Sequence, residues 1–585
     1  GHDTSAQRFV LTPKSFGQES LTTGIYSFGN NNYRISSLGN GVYTVYSLTQ
    51  NGFCAANGNG SMYFAASSAA AEAKWLVTKT SDGYVFQSAA HQTYMTSDAG
   101  LSSNAENISI SDLNASVTDY SVKYDLSALN ALDSLNGIQV ISRLHTLGLS
   151  RSDLMNPEAN MTSLNTNIQS ALSGLPTQTV QYTGTDVDDL NQFLQNNTGK
   201  IVQLTQDIQV YKNTNGSFGI IMVPSDTILD GNGHRLVMKA GYTEAPDVGV
   251  VLYVYKDGVI PSTNCGVKNL STDIPYVNSI NVFSADNILL ENNTLNNATK
   301  SGIMISDEYG STVNGIIRGN TINNVGDDAI AVYGNHSNLL IDSNRISGAK
   351  GFAGIAISCL QNGQQIRVDN ETTGPHDIIV TGNVVSGCSG EALYCIGSYK
   401  TYITYNTLRD SILEGICLDS GCIGNYFAHN EVVNNGIAGG LPGVSIDNGI
   451  YNIVDSNNIY NNSCSGIKLV RTGLGNIIVN NICTDNAYNQ MGAKSSGIDI
   501  EPLAVETENL GYIDGLGSNW NVVLNNTVTG SHDFGVFIAD DDTANNGGSS
   551  CENVIMYNKF SSAYTFGAAD FSSMSSTVKN NITLN

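Results

Sequence analysis

Four carboxylates and two cations stand at matching places of a short repeated phrase: Asp419, Asp447, Asp499 and Glu501, with Lys468 and Arg471. Charge is scarce in this chain, at 13% of residues, so this concentration has to be explained. If the phrases stack as neighbouring strands, their backbones lie ~4.8 Å apart. Asp419 and Asp447 are then neighbours, and the charge on one raises the pKa of the other. Such a pair divides labour as proton donor and as base or nucleophile. A separation of about 5 Å suits glycoside cleavage with retention, and a wider one leaves room for an attacking water. Asp447 and Glu501, two stacked phrases apart at ~9.6 Å between backbones, would give the wider arrangement. Asp419, Asp447 and Glu501 are therefore the expected catalytic residues, with Lys468, Arg471 and Asp499 positioning substrate. The competing expectation is a solvated polar face with ordinary ion pairs.

A second acidic candidate is Asp328, in Gly326-Asp327-Asp328-Ala329-Ile330-Ala331. Trp520, Tyr512, Tyr309 and Tyr333 are candidates to stack on sugar rings, whereas His376 could supply acid-base help or cap a loop, the second being expected. Asp540, Asp541 and Asp542, with Asn545 and Asn546, could grip calcium, because clustered oxygens suit that ion, or could form a solvated acidic loop. No other cofactor is expected. P-loop, zinc-binding and Gly-x-Ser-x-Gly motifs are absent, as is the Asp-Pro-His-Asp motif. The ten cysteines are scattered without metal spacing, and Cys359, Cys395 and Cys417 fall in or beside expected strands, as buried thiols do.

The elements that would carry these residues are legible as a repeat of roughly 24 residues. A small residue, an aliphatic, any residue and a second aliphatic recur: 302–305, 329–332, 354–357, 415–418, 443–446, 466–469, 497–500 and 535–538. Alternation sends the two aliphatics to one face and the residue between them to the other. The middle residue, and the one after the second aliphatic, are expected to meet solvent. A second phrase alternates with the first and carries an asparagine, at 293, 320, 344, 383, 406, 430, 457, 480, 526 and 558. Stacked at one corner, these amides would bond to one another along the axis. Three insertions, Cys359 to Asp377, Pro502 to Trp520 and Asp540 to Ser550, each follow the aliphatic phrase. They therefore leave one edge, as loops that wall a binding face do.

This pattern resembles the pectate-lyase-like superfamily from about Gln178 to Leu584, including Lys200–Leu204, Ile220–Pro224 and Thr227–Gly231. The resemblance implies a mainly β chain built as a right-handed parallel β-helix, a fold that hosts hydrolases, lyases, epimerases and adhesins. Gly326–Ala331 is similar to the paired-aspartate motif of polygalacturonases. Lys300-Ser301 occupies the place of that family's third aspartate, and its His-bearing and Arg-x-Lys motifs are missing.

Residues 1–120 lack the repeat and read as an N-terminal β-rich domain, in which 75–96 resemble one lobe of a ricin-type trefoil. Residues 121–177 read as a short helical segment that caps or braces the solenoid, and 178–585 as the catalytic β-helix. A net charge of −25 disfavours nucleic acid and anionic membrane as partners, and no apolar run is long enough to cross a bilayer. The expected partner is a carbohydrate, met outside the cell, with oligomerisation open. The expected activity is glycoside hydrolysis or transglycosylation. The alternatives are a lyase or epimerase acting on a uronic-acid polymer, and a non-catalytic glycan-binding adhesin.

Overall fold

The computed structural model describes residues 21–112 and 156–584 apart from breaks, the longest being 360–373, 488–495, 503–517 and 540–549. The described residues fall into two compact units, one within Gly1–Lys123 and one holding everything from Asn156 onward.

The smaller unit is one ten-stranded antiparallel sheet. Its core is aromatic, with Tyr33, Tyr43, Trp75 and Phe86 fully buried. The polar ends of two of these rings are bonded: Trp75 Nε1 donates to the Cys54 carbonyl at 2.8 Å and Tyr43 Oη to Leu21 O at 2.8 Å. The segment that resembles a trefoil lobe continues this ladder, Lys74–Lys79 pairing with Tyr84–Ser88.

The larger unit is a solenoid of three parallel sheets with 15, 14 and 13 strands, each coil contributing one strand to each sheet in turn. One coil runs Asp286–Glu291 in the first sheet, Thr294–Asn296 in the second and Ile303–Ser306 in the third. The aliphatic phrases are the third-sheet strands. Their two apolar residues join one core that runs from Tyr182 to Tyr564. The small residue opening each phrase has a steric cause: a Cβ on Gly415 would lie 2.4 Å from Val432 Cγ1 of the second sheet. This architecture is a parallel β-helix.

Asparagines hold the bend between the first and second sheets. Asn430 donates from Nδ2 to Ile403 O and to Asn457 Oδ1, and its own Oδ1 accepts from the backbone N–H and the amide of Asn406. Each rung thus satisfies backbone groups that a buried corner would strand. The rung on the next coil but one is Asn481, bonded to Asn457 and Asn526, and not Asn480 as the spacing suggested. Asn480 has φ 58° and makes the left-handed bend preceding the rung, a conformation asparagine tolerates. Sequence spacing cannot separate two adjacent asparagines, whereas the bend can. Two further ladders were not legible: Asn425, Asn452, Asn476, Asn521 and Asn553, and Asn435, Asn462 and Asn486. His532 extends the latter, its Nε2 accepting from Asn486 N at 3.1 Å. Burial pulls His532 down to about 4, so its ring stays neutral and keeps that lone pair free.

Two helices complete the unit. Helix α1 (Pro157–Ala171) starts on an Asn156 cap and buries Leu164 and Ile168 against Ile316, Leu340, Ile379 and Tyr402. It therefore crosses the outer face of the first sheet and does not close the solenoid end. That end is plugged by α2 (Val187–Asn196), capped by Asp186, with Val187, Leu190 and Leu194 buried in the main core. The leucine run at 126–138 lies outside the described residues. No helix among the described residues is long and apolar enough to cross a membrane.

Replacing Asn430 with Ala removes a rung and leaves buried groups of Asn406 and Ile403 unpaired. Each such group costs about 1–3 kcal/mol. The expected outcome is a clearly lower denaturant midpoint, whereas the same change at Asn480 should have a much smaller effect.

Candidate functional site

The third-sheet register decides which outward side chains meet. Cys417 pairs with Ser445, Ser445 with Lys468, and Lys468 with Asp499. One step beyond the second aliphatic, the column reads Ile396, Asp419, Asp447, Val470 and Glu501. The structure therefore brings Asp419, Asp447, Lys468, Arg471, Asp499 and Glu501 onto consecutive coils of one face. That face is not open to solvent in the way the alternation implied. Cys417 is 6%, Ser445 3% and Asp499 3% exposed. Outward-pointing residues are covered here, and this covering perturbs the carboxyl groups.

Asp447 lies with its Oδ1 3.1 Å from Arg471 Nη1, its side chain 16% exposed. Burial, then the charge of Asp419, push its carboxyl up to about 7, against the opposing pull of Arg471 and Lys468. Asp419 accepts the Tyr394 hydroxyl at 2.7 Å. Burial and the Asp419 charge hold the Tyr394 phenol far above its usual range, so it serves as a proton donor in a hydrogen bond and not as a phenolate. Lys468 bonds Glu501 at 2.8 Å and lies 3.8 Å from Asp499. Burial opposes the charge on Lys468, but Asp499 and Glu501 outweigh it and raise the ammonium pKa. Asp499 itself is driven well above the carboxylate range by burial and by Glu501. It is buried beside the Lys468–Glu501 pair, where alternation had placed it in solvent.

Two acids escaped the sequence analysis. Glu391 and Glu414 sit immediately before the small residue of their phrases, as Asp328 does. Burial, then the Glu391 charge, take Glu414 up to about 8. Glu391 is raised by burial and by Asp419, and its Oε2 is buried with no hydrogen-bond partner among the described residues. The recurrence of an acid in that position was the available signal. Glu391, Glu414, Asp419 and Asp447 thus form one interacting carboxyl cluster beside Tyr394.

Asp328 lies earlier on the same face. It is fully buried, accepts Ala353 N at 2.8 Å and is hydrogen-bonded by Tyr333 Oη. Burial pushes Asp328 up to about 7. The Tyr333 hydroxyl is thus engaged by Asp328, and Glu391 of the carboxyl cluster lies near enough to add to the Asp328 shift. His376 Nδ1 lies 3.0 Å from Gly374 O, the loop contact expected of it. Trp520, Tyr512 and Asp540, Asp541 and Asp542 lie outside the described residues. The three long insertions all run from the end of a third-sheet strand toward the next first-sheet strand. No group of three or more metal-binding side chains is placed to hold an ion among the described residues.

A family model described as "Right handed beta helix region" matches residues 252–441. The larger unit is a right-handed parallel β-helix. Curated protein sequences include no match to it. Among solved structures, it is similar to the mannuronan C-5 epimerase AlgE6 A-module of Azotobacter vinelandii, at 15% identity and TM-score 0.46 over 69% of this chain and 100% of that one. It is similar also to the periplasmic alginate epimerase AlgG, at 12% and 0.33 over 72% and 88%. A third is PfbA, a surface adhesin of Streptococcus pneumoniae, at 11% and 0.34 over 69% and 92%. At these identities the likeness concerns the fold.

The raised carboxyls have a consequence for stability. A group whose folded pKa exceeds its unfolded value favours the fold below the unfolded pKa, and that contribution disappears as pH rises through the folded value. Asp328 and Asp447 at about 7 and Glu414 at about 8 therefore make the β-helix less stable between about pH 4 and pH 8. Thermal melts across that range should show a falling midpoint. Glu414→Gln should flatten the fall and raise the midpoint at pH 8.

Proposed function

We propose that this protein is a glycoside hydrolase that cleaves an uncharged polysaccharide outside the cytoplasm, with Asp447 as proton donor and Asp419 as nucleophile or base. The observation that carries this reading is the adjacent-coil pair in which Asp447 keeps its proton to about pH 7 beside the charge of Asp419. A glycosidic oxygen is a poor leaving group until it is protonated, and a carboxyl with a raised pKa can supply that proton near neutrality. Neighbouring coils put the two backbones ~4.8 Å apart, which favours the close-pair geometry and net retention of anomeric configuration over the water-spaced one. Tyr394 orients Asp419, Arg471 holds the Asp447 carboxyl in place, and Lys468 with Glu501 braces the next coils.

An uncharged glycan fits the electrostatics best. The described cations of the cluster, Lys468 and Arg471, are engaged by Glu501 and Asp447. Glu501 neutralises Lys468, and the chain as a whole carries −25, which disfavours a polyanionic glycan. A uronate lyase or epimerase would need a base that loses its proton readily, and the raised phenol of Tyr394 does not meet that need. A non-catalytic adhesin gives no reason to hold a buried carboxyl at about 7 beside a second acid.

Asp447→Asn and Asp419→Asn should each lower kcat by at least a hundredfold on the glycan the wild type cleaves, with the fold intact by circular dichroism. Full activity in both variants would sink the assignment. Activity should fall as pH rises past about 7, because Asp447 must be protonated to act. Arg471→Gln removes a charge that lowers the Asp447 pKa and should move that alkaline limb upward. Proton NMR of the first-formed sugar should show the anomer of the substrate.

A further inference from the structure

The third sheet carries an aromatic group well away from the carboxyl cluster. Val251 pairs with Asn281, which places Tyr253 beside Phe283. Their rings stack at 5.3 Å with an interplanar angle of 20°. Tyr309, on the following coil, meets Phe283 edge-on at 5.5 Å and is 50% exposed. Tyr253 belongs to a hairpin, Tyr253–Tyr255 with Val259–Pro261, that leaves the same edge of the third sheet as the long insertions. Three successive coils thus present one aromatic surface at this edge.

Two further observations bear on what such a surface would hold. Phe283 stands at the foot of the column that leads to the carboxyl cluster, through Ser306, Tyr333, Ser358, Ile396 and Asp419 to Asp447. Six coil steps separate Phe283 from Asp447, roughly 29 Å. Asn281 also lies on the outward face of the Phe283 strand, opposite the core residues Ile280 and Val282. It is 6% exposed, and its Oδ1 has no hydrogen-bond partner among the described residues. A buried acceptor left unpaired costs about 1–3 kcal/mol, a penalty that a ligand hydroxyl would relieve.

We propose that Tyr253, Phe283 and Tyr309, with Asn281, form a remote subsite that stacks on an uncharged pyranose ring of the same glycan whose bond is cleaved at Asp419 and Asp447. This rests on the hydrolase reading for the identity of the chain, though not for the existence of the subsite. A pyranose has an apolar ring face that suits an aromatic surface, and a rim of hydroxyls that suits an amide acceptor. Burial raises the Tyr253 phenol, and Glu308 lies near enough to add to that shift, so an acidic group beside the platform disfavours an acidic sugar. The glycan would run along the solenoid axis, each coil advancing it by about 5 Å. Only a chain long enough to cover the six coils would touch both ends, and affinity should therefore climb with chain length.

The test uses the full chain carrying Asp447→Asn, to prevent turnover, on an array of neutral and uronic oligosaccharides of graded length. Calorimetry then follows on a short and a long member of the series retained. The expected result is that long neutral chains bind more tightly than short ones, and that Tyr309→Ala cuts this advantage by roughly tenfold. Tyr309→Leu keeps an apolar contact with Phe283 while removing the ring and should lose the same advantage, so a folding defect cannot mimic the effect. If no glycan binds, or if the length advantage survives both variants, the subsite is overturned and the aromatic group only anchors its hairpin. If the advantage depends on Tyr309 while the wild type cleaves none of the retained glycans, the subsite stands and the hydrolase reading falls.

Discussion

Coil-to-coil backbone pairing is the constraint on which the rest of this molecule depends. A third-sheet strand such as Ile416–Asp419 is only four residues long and has no stability alone. It persists because each coil hydrogen-bonds to the one before and after it, and because the aliphatics of all coils share one core. The bends are the weak points of such a stack, since a buried corner strands backbone N–H and C=O groups. Asparagine solves this with a side chain that carries both a donor and an acceptor, and three ladders of it line the corners. His532 can stand in for a rung because its neutral ring still offers one acceptor to Asn486 N.

The same pairing creates the chemistry. Strand spacing is set by backbone geometry and does not widen for charge, so acids in one column are held within interaction range of each other. Covering the face then removes the water that would have screened them. Burial leads the shifts of Asp447 and Glu414, and neighbouring carboxylates add to it. The cost is carried by the fold, which holds these groups in positions where their ionisation is unfavourable. Such a site trades stability for proton affinity. Arg471 and Lys468 limit the cost without discharging the cluster.

The face is also continuous. One column joins the aromatic group at Phe283, the Asp328–Tyr333 pair and the Asp419–Asp447 pair, because every coil repeats the register of its neighbour. A solenoid presents ligands with a line rather than a point, and a linear polymer is the partner such geometry matches best.

Periodicity alone determined the architecture. Alternating aliphatics and regularly spaced asparagines have few physical solutions, and the column of Asp419, Asp447 and Glu501 followed once stacking was assumed. Other features depended on what surrounds a residue in space. Local pattern could not distinguish Asn480 from Asn481, because only the left-handed bend makes one a hinge and the other a rung. It sent Asp499 toward solvent, because alternation gives a direction but not what lies above the face. It passed over Glu391 and Glu414, whose importance comes from being buried beside Asp419 and Asp447. It left open whether the helical segment caps or braces the solenoid, because whether an amphipathic segment closes an end or crosses a sheet depends on which apolar surface is left uncovered. Sequence thus settled where side chains sit along the axis, and tertiary structure settled which of them lose their water, the property that sets their proton affinities.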